Sequence, residues 1–421
     1  MHNKTVLKNG VRIVSERIDH MRSVSLGIWV DTGSRDEVVS ENGISHFIEH
    51  MIFKGTRNRT SLQIAKELDA IGGLSNAFTG KENTCFHARV LGKHFLLLAD
   101  ILSDIFLHST FYPDDLERER QVILQEISMM EDTPEDNIHV LFNRLFWVNH
   151  PIGLSILGTD ESISAIGRET ILKYIDRFYV PEKILVAAAG NVDHQSLVSV
   201  FEPLFEAASG GGDSSPKRSV PLSNSGVAVH VKDLEQVHIC LGGEAPPLSS
   251  KRRFACAIFN TILGGNMSSR LFQEIRENRG LAYSVYSFVS SYVDTGLLGM
   301  YVATDSGSVN SVLETVQTEI RKLTKGELSE SDLSAAKEHL IGGIYLSSEH
   351  ADSQMMRIAK NEIVFERNVG YEELVSQLEG VTIDEVVETA GQVFRDDGVS
   401  LTTLGPFKEE DLDRGCLVFS G

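Results

Sequence analysis

The clearest pattern of apolar and polar positions lies in residues 43–54. Its apolar residues recur at the spacing of one helical face, namely Ile44, Phe47, Ile48 and Met51. The opposite face carries His46, Glu49, His50 and Phe53. We predict a helix here, with Asn42 as its N-cap and Gly55 as its C-terminal stop. Its apolar face should pack on a sheet, leaving two histidines and a glutamate pointing together into another space.

Similar patterns recur in the two halves of the chain. Alternating residues predict strands at 24–30 and 237–241, helices follow at 43–54 and 253–263, and strands return at 84–90 and 296–303. A long helical segment, 115–127, then aligns without gaps with 332–344. Mixed strands with long helices mainly on one side predict an α+β fold built from two homologous α/β-sandwich halves.

A segment rich in Gly, Ser and Pro separates these halves. It covers residues 208–226 and is poor in large apolar residues, which is typical of a flexible linker. With 421 residues, the chain is long enough for two domains of ordinary size. We therefore predict domains at 1–207 and 227–421, joined by the linker.

Composition excludes several classes of protein. The formal net charge of −20 argues against binding to nucleic acid or to an anionic membrane, and it permits a basic substrate. The four cysteines form no C-x-x-C pair, so neither a disulfide framework nor a cysteine zinc site is indicated. The most apolar stretch, 95–107, is interrupted by Asp100 and Asp104 and is too short to span a bilayer. With no signal or transit peptide recognised, a cytoplasmic protein is expected.

The spacing of the two histidines suits metal binding. Histidines four residues apart stack on one helical face and can bind one ion through two ring nitrogens. Glu49 lies beside them but one residue out of line, so it can reach a water on the ion without filling a ligand position. A catalytic zinc needs three protein ligands, an open position and such a base. The competing interpretation, ordinary helical histidines, requires this arrangement to arise by chance.

The third ligand is not determined by spacing. The predicted helix 113–131 has an apolar arc of Leu116, Val122, Ile123, Ile127 and Met130. Glu119 and Glu126 both fall inside that arc, and carboxylates that face a core need a positive partner such as a divalent cation. Either glutamate could be the ligand, and His87 on the neighbouring strand also stays possible.

Residues 46–56, HFIEHMIFKGT, resemble the inverted zinc motif of the pitrilysin and mitochondrial processing peptidase family. The resemblance continues in residues 74–79 and 117–131 and through the second half, and is greatest to the processing-peptidase β-subunit and its bacterial relatives. It implies a zinc-binding catalytic half at 1–207 and a metal-free half at 227–421, which close as a clam-shell around an unfolded peptide.

The resemblance also implies roles for individual residues. Zinc, one ion per chain, would be bound by His46, His50 and Glu126, with Glu49 as the base and Glu119 orienting a ligand. Asn76 and Ala77 would lie on an edge strand to which an extended peptide adds. Arg276 and Tyr283 would position the substrate carbonyl and stabilise the oxyanion. In the gapless match, Gly343 takes the place of Glu126.

Substrate preference and assembly are less well marked. Asp136 suits one of the acidic positions with which such peptidases read an arginine, but Val140 occupies the second. There is no glycine-rich loop like that of the non-catalytic α-subunit, so a homodimer is expected. The predicted function is a zinc endopeptidase acting on unfolded or presequence-like peptides. The alternatives are a catalytically silent binding or assembly subunit and a zinc hydrolase acting on another bond.

Overall fold

The computed structural model describes residues 1–206 and 218–419. Residues 208–217 of the predicted linker lie outside the described residues, and 218–226 contain neither helix nor strand. The strands are β1 (His2–Val6), β2 (Arg12–Arg17), β3 (Ser23–Val30), β4 (Leu74–Thr79), β5 (Thr84–Leu91), β6 (Ile184–Gly190), β7 (Val227–Val231), β8 (Val237–Glu244), β9 (Ala282–Ser291), β10 (Gly296–Thr304) and β11 (Val399–Gly405).

The α-helices of the described residues include those predicted at 43–54, 113–131 and 253–263. They are α1 (Ile44–Met51), α2 (Ser61–Ala70), α3 (Phe95–His108), α4 (Pro113–Asp132), α5 (Pro134–Phe146), α6 (Asp160–Ala165), α7 (Arg168–Phe178), α8 (His194–Phe205), α9 (Arg253–Leu263), α10 (Val309–Thr324), α11 (Glu330–Ser348), α12 (Ala351–Phe365), α13 (Tyr371–Glu379) and α14 (Ile383–Val393). The predicted strands at 24–30, 84–90, 237–241 and 296–303 are confirmed as parts of β3, β5, β8 and β10.

The two sheets share one strand order. The first is β1-β2-β6-β3-β5-β4 and the second is β7-β11-β8-β10-β9. In each, one pair is parallel (β2 with β6, β7 with β11) and the following pairs are antiparallel. The second sheet therefore repeats the first without its outer strand β1. This confirms the predicted α+β fold with two similar halves.

The chain forms two compact units, and each unit contains one helix from the other half of the sequence. The first unit contains Met1–Met129, Leu154–Ser219 and Leu346–Val369, so it includes α12. The second contains Met130–Gly153, Val220–Tyr345 and Gly370–Gly421, so it includes α5. The predicted domains, 1–207 and 227–421, assign α5 to the first half and α12 to the second. The compact units assign these two helices the other way round.

Both faces of the first sheet are covered. One face packs against α2, α3 and α8, and the other carries Trp29 and Cys85, which pack against Met355 and Ile358 of α12. Adjacent residues of β3 point to opposite faces, and both faces of this strand are fully buried. We expected helices mainly on one face of the sheet. The structure differs in that α12 covers the other face.

Helix α1 does not pack as expected. Its four apolar residues are fully or almost fully buried, but they contact α4 and α7 rather than a sheet. The opposite edge of the helix meets β4, where Thr79 hydrogen-bonds to Ser45 and Glu49. The expectation is wrong because the neighbouring helices, rather than the sheet, supply the apolar surface. On α4, Val122 is 39% exposed, so the predicted apolar arc is narrower than the sequence suggests.

The start of α1 also differs from the prediction. The N-cap is Gly43, with φ 91°, and not Asn42. The carboxylate of Glu37 accepts hydrogen bonds from the backbone N–H of Gly43 (2.8 Å) and of Ser45 (2.9 Å), while the Asn42 amide donates to the same carboxylate. A Cβ at residue 43 would lie 2.7 Å from the Leu157 carbonyl oxygen, so glycine fits both the conformation and the space.

The helix ends earlier than predicted. Its last residue is Met51, and Gly55 lies beyond it, with φ 132°, in an isolated antiparallel β-bridge with Thr60. Among the described residues, no helix is long and apolar enough to cross a membrane.

Candidate metal centre

Two helices bring three potential ligand atoms together. His46 and His50 lie one turn apart on α1, with ring centroids 4.6 Å apart. Glu126 of α4 places its Oε2 3.7 Å from His46 Nε2 and 3.5 Å from His50 Nε2. The ligand atoms of these three residues all lie within 4.8 Å of one another. Two imidazole nitrogens and one carboxylate are a donor set that zinc accepts, so the residues fit this metal.

Packing between the helices produces this convergence. The buried side of α1 meets Leu116, Ile123 and Ile127 of α4 in one apolar cluster. Glu126 precedes Ile127 on α4, so the same packing brings its carboxylate to the two histidines. The histidine side chains are 12% and 17% exposed, whereas that of Glu126 is 37% exposed. The group is therefore shielded on the α1 side and open toward solvent on the α4 side.

Glu119 lies at the other nitrogen of His50. Its Oε2 is 3.2 Å from His50 Nδ1, and its Oε1 is 2.7 Å from Lys54 Nζ. The geometry thus separates the two glutamates that spacing left equivalent: Glu126 meets both Nε2 atoms and Glu119 meets one Nδ1. His87 of β5 is not in the group of converging ligand atoms, and its half-buried ring lies beside Phe78.

The environment keeps His46 uncharged. Burial, together with the neighbouring His50, lowers the pKa of His46 to about 4. A neutral imidazole retains the lone pair with which a ring nitrogen binds a metal. His46 is therefore in its metal-binding form at neutral pH.

Glu49 lies on α1 between the two histidines and faces β4. Burial raises the pKa of its carboxyl group, and a hydrogen bond donated by Thr79 Oγ1 to Glu49 Oε2, 2.6 Å long, acts in the opposite direction. A partly buried carboxylate with a raised pKa is suited to accept and return a proton. The same Thr79 hydroxyl is 3.4 Å from the Ser45 carbonyl oxygen.

Sequence reasoning missed the roles of Thr79, Lys54 and Glu37. Thr79 ends the segment 74–79 and Lys54 lies within the motif 46–56, so both were inside recognised segments. The contacts of Thr79 and Lys54 join residues that are distant in the sequence. Thr79 and Glu49, for example, are 30 residues apart. A helical or strand period carries no information about such contacts.

The predicted substrate strand lies at the edge of its sheet. Among the described residues, β4 pairs with β5 on one side only, and it contains Asn76 and Ala77. The Ala77 N–H is covered by the Asn76 side chain, whose Oδ1 accepts from it at 2.9 Å. An edge strand offers unpaired backbone groups to an added strand. The edge position of both residues is therefore confirmed.

The remaining predicted site residues belong to the second compact unit. Arg276 and Tyr283 are brought together: the guanidinium carbon is 4.2 Å from the Tyr283 ring centroid, and Nη1 donates to the Tyr283 carbonyl oxygen at 3.2 Å. Tyr283 is 74% exposed. Asp136 is exposed in the first turn of α5, next to Glu135, which accepts a hydrogen bond from Tyr286.

Comparison with known proteins identifies relatives over nearly the whole chain. The family model described as "Insulinase (Peptidase family M16)" matches residues 12–160, and that described as "Peptidase M16 inactive domain" matches residues 165–340. A Bacillus subtilis protein named an uncharacterized zinc protease, YmxG, is 38% identical over 96% of this chain and 98% of its own length. A Mycobacterium leprae protein, also named an uncharacterized zinc protease, is 38% identical over 96% of this chain and 92% of its own.

Solved structures share the fold. The crystal structure of a protease from Helicobacter pylori matches with a TM-score of 0.90 and 22% identity, covering 96% of this chain and 99% of the other. A peptidase M16 inactive domain from Pseudomonas fluorescens matches with a TM-score of 0.88 and 18% identity, covering 96% and 98% of the two chains.

Proposed function

Because this chain belongs to peptidase family M16, we propose that it is a zinc-dependent endopeptidase that cleaves unfolded peptides. The observation that carries the proposal is the convergence of His46 Nε2, His50 Nε2 and Glu126 Oε2, with Glu49 beside them. Relatives named zinc proteases support the choice of metal and of reaction. In this proposal the three converging residues hold one zinc ion per chain.

The reaction would use the following groups of the chain. Zinc held by His46, His50 and Glu126 would lower the pKa of a water molecule and polarise the scissile carbonyl. Glu49 accepts a proton of the attacking water on a carboxylate oxygen as the new C–O bond forms, and the peptide C–N bond breaks afterwards, when Glu49 passes that proton to the leaving amine. The Thr79 hydroxyl holds the Glu49 carboxylate toward β4 during both transfers.

Other residues would bind the peptide. An extended substrate adds to the edge strand β4 at Asn76 and Ala77 through backbone hydrogen bonds, and its carbonyl oxygen replaces Asn76 Oδ1 as the acceptor of the Ala77 N–H. Arg276 and Tyr283, which already contact each other, position the carbonyl and stabilise negative charge on its oxygen. The exposed Asp136 and the net charge of −20 favour peptides with a basic residue near the cut. The proposal also holds that the chain acts as a homodimer in the cytoplasm.

Digestion of a mixed library of unstructured peptides tests this function. The zinc-loaded chain should produce discrete cut sites in mass spectra. A chelator should abolish them and added Zn²⁺ should restore them. Replacement of Asp136 by Asn should reduce any preference for arginine near the cut without changing zinc content. A zinc-loaded chain that cuts no peptide would contradict the proposal and favour a silent binding subunit on the same fold.

A further inference from the structure

A lysine outside the ligand set extends the contacts of the metal centre. Lys54 lies three residues after the end of α1 and four residues after His50. Its Nζ is 2.7 Å from Glu119 Oε1, and the other oxygen of that carboxylate is 3.2 Å from His50 Nδ1. Lys54, Glu119 and His50 thus form a continuous chain that leads to His50 Nε2, which faces Glu126.

The chain has a defined effect on His50. A histidine that binds a metal through Nε2 must carry its proton on Nδ1, and a carboxylate at Nδ1 fixes that tautomer and the orientation of the ring. Glu119 can do this only when its carboxylate is held in one position. Its side chain is 11% exposed, and a charge so far removed from water is costly without an opposite charge beside it.

Lys54 supplies that opposite charge. Three carboxylates, those of Glu49, Glu119 and Glu126, lie around the two histidines. A divalent ion held there would balance two negative charges, and the ammonium group of Lys54 lies 2.7 Å from the Glu119 carboxylate. Lys54 is 36% exposed at its side chain, so it can bridge the buried carboxylate to solvent without a large desolvation cost of its own.

We propose that Lys54 is a positioning residue for the metal centre: its ammonium group holds the Glu119 carboxylate in one orientation, so that Glu119 fixes His50 for binding through Nε2. The inference rests on the proposed function because it assumes that this group of residues binds zinc. It goes beyond that function in assigning metal affinity to a residue that touches neither the metal nor the substrate.

The test is the affinity of the full chain for Zn²⁺, measured by competition with a chromophoric chelator at fixed pH. We expect Lys54→Met to weaken zinc binding by roughly 10-fold or more, as is typical when a group behind a metal ligand is lost. Lys54→Arg keeps the positive charge and should remain within about threefold of the unsubstituted chain. The control is Lys173→Met. It removes an exposed ion pair with Glu169, and neither residue belongs to the metal centre.

A double-mutant cycle separates positioning from a general effect on folding. In a Glu119→Gln background, Lys54→Met should cause little further loss of zinc affinity, because the carboxylate through which it acts is gone. Equal zinc affinity for Lys54→Met and the unsubstituted chain would overturn the inference, as would equal losses in both backgrounds. Failure of the peptidase proposal would appear separately, as zinc binding that depends on Lys54 in a chain that cuts no peptide.

Discussion

At the scale of single residues, the centre depends on hydrogen bonds that orient charged groups. The Oε2 atom of Glu49 accepts a 2.6 Å hydrogen bond from the Thr79 hydroxyl. The bond fixes the position of the carboxylate relative to β4. Burial raises the pKa of Glu49, and the threonine hydroxyl counteracts that rise, so Thr79 helps to keep the base ionised.

Thr79→Val removes the hydroxyl and keeps the shape of the side chain. We expect kcat to fall roughly tenfold, the cost of one hydrogen bond to a charged group, because Glu49 is less well held and less often ionised. Thr79→Ser retains the donor and should recover most of the activity. Steady-state peptide cleavage and zinc content would be measured for both variants, and a valine variant as active as the serine variant would show that the contact is irrelevant to turnover.

At the scale of elements, the period of apolar residues predicted α1 and placed both histidines on one face, because a helix is a local structure. The same period could not choose between Glu119 and Glu126, since residues seven apart lie nearly in line on a helix. The choice depends on where α4 crosses α1, which the apolar cluster of the two helices determines. The N-cap was mispredicted for a similar reason, because the capping carboxylate of Glu37 comes from a preceding turn.

The cap of α1 gives a prediction about stability. In Glu37→Gln, an amide NH₂ would replace one of the two oxygens that accept from Gly43 and Ser45, and a buried backbone donor would lose its partner. We expect the free energy of unfolding to fall by about 1–3 kcal/mol. Urea unfolding would measure this. Glu169→Gln, at an exposed carboxylate, is the control and should change stability by less than about 0.5 kcal/mol; equal effects of the two substitutions would contradict the capping role.

At the scale of the whole molecule, the compact units exchange helices. The first unit is completed by α12, whose Met355 is fully buried and accepts a hydrogen bond at Sδ from Trp29 Nε1, 3.4 Å away. The predicted strands β3, β5, β8 and β10 and the predicted helices α1, α4 and α9 follow from local patterns. The exchange does not, because α12 and β3 are more than 300 residues apart in sequence, with a separation of 326 between these two side chains.

Met355→Ala should therefore destabilise the sheet that carries β4 and β5, although residue 355 belongs to the other half of the sequence. We expect a loss of about 2–5 kcal/mol, the usual cost of a cavity left by a buried methionine. Thermal unfolding would compare it with Met129→Ala, where the side chain is 69% exposed and little change is expected. Equal stability of the two variants would show that α12 contributes little to the first unit.

The most direct test of the whole account is cleavage of one unstructured peptide by the zinc-loaded chain and by Glu49→Gln, with zinc content measured in the same samples. We expect both proteins to hold one zinc ion per chain, because Glu49 is outside the converging ligand atoms, and we expect turnover by the glutamine variant to fall about 10²–10⁴-fold. A Glu49→Gln protein that retains full activity would contradict the assignment of the base, and with it the proposed mechanism.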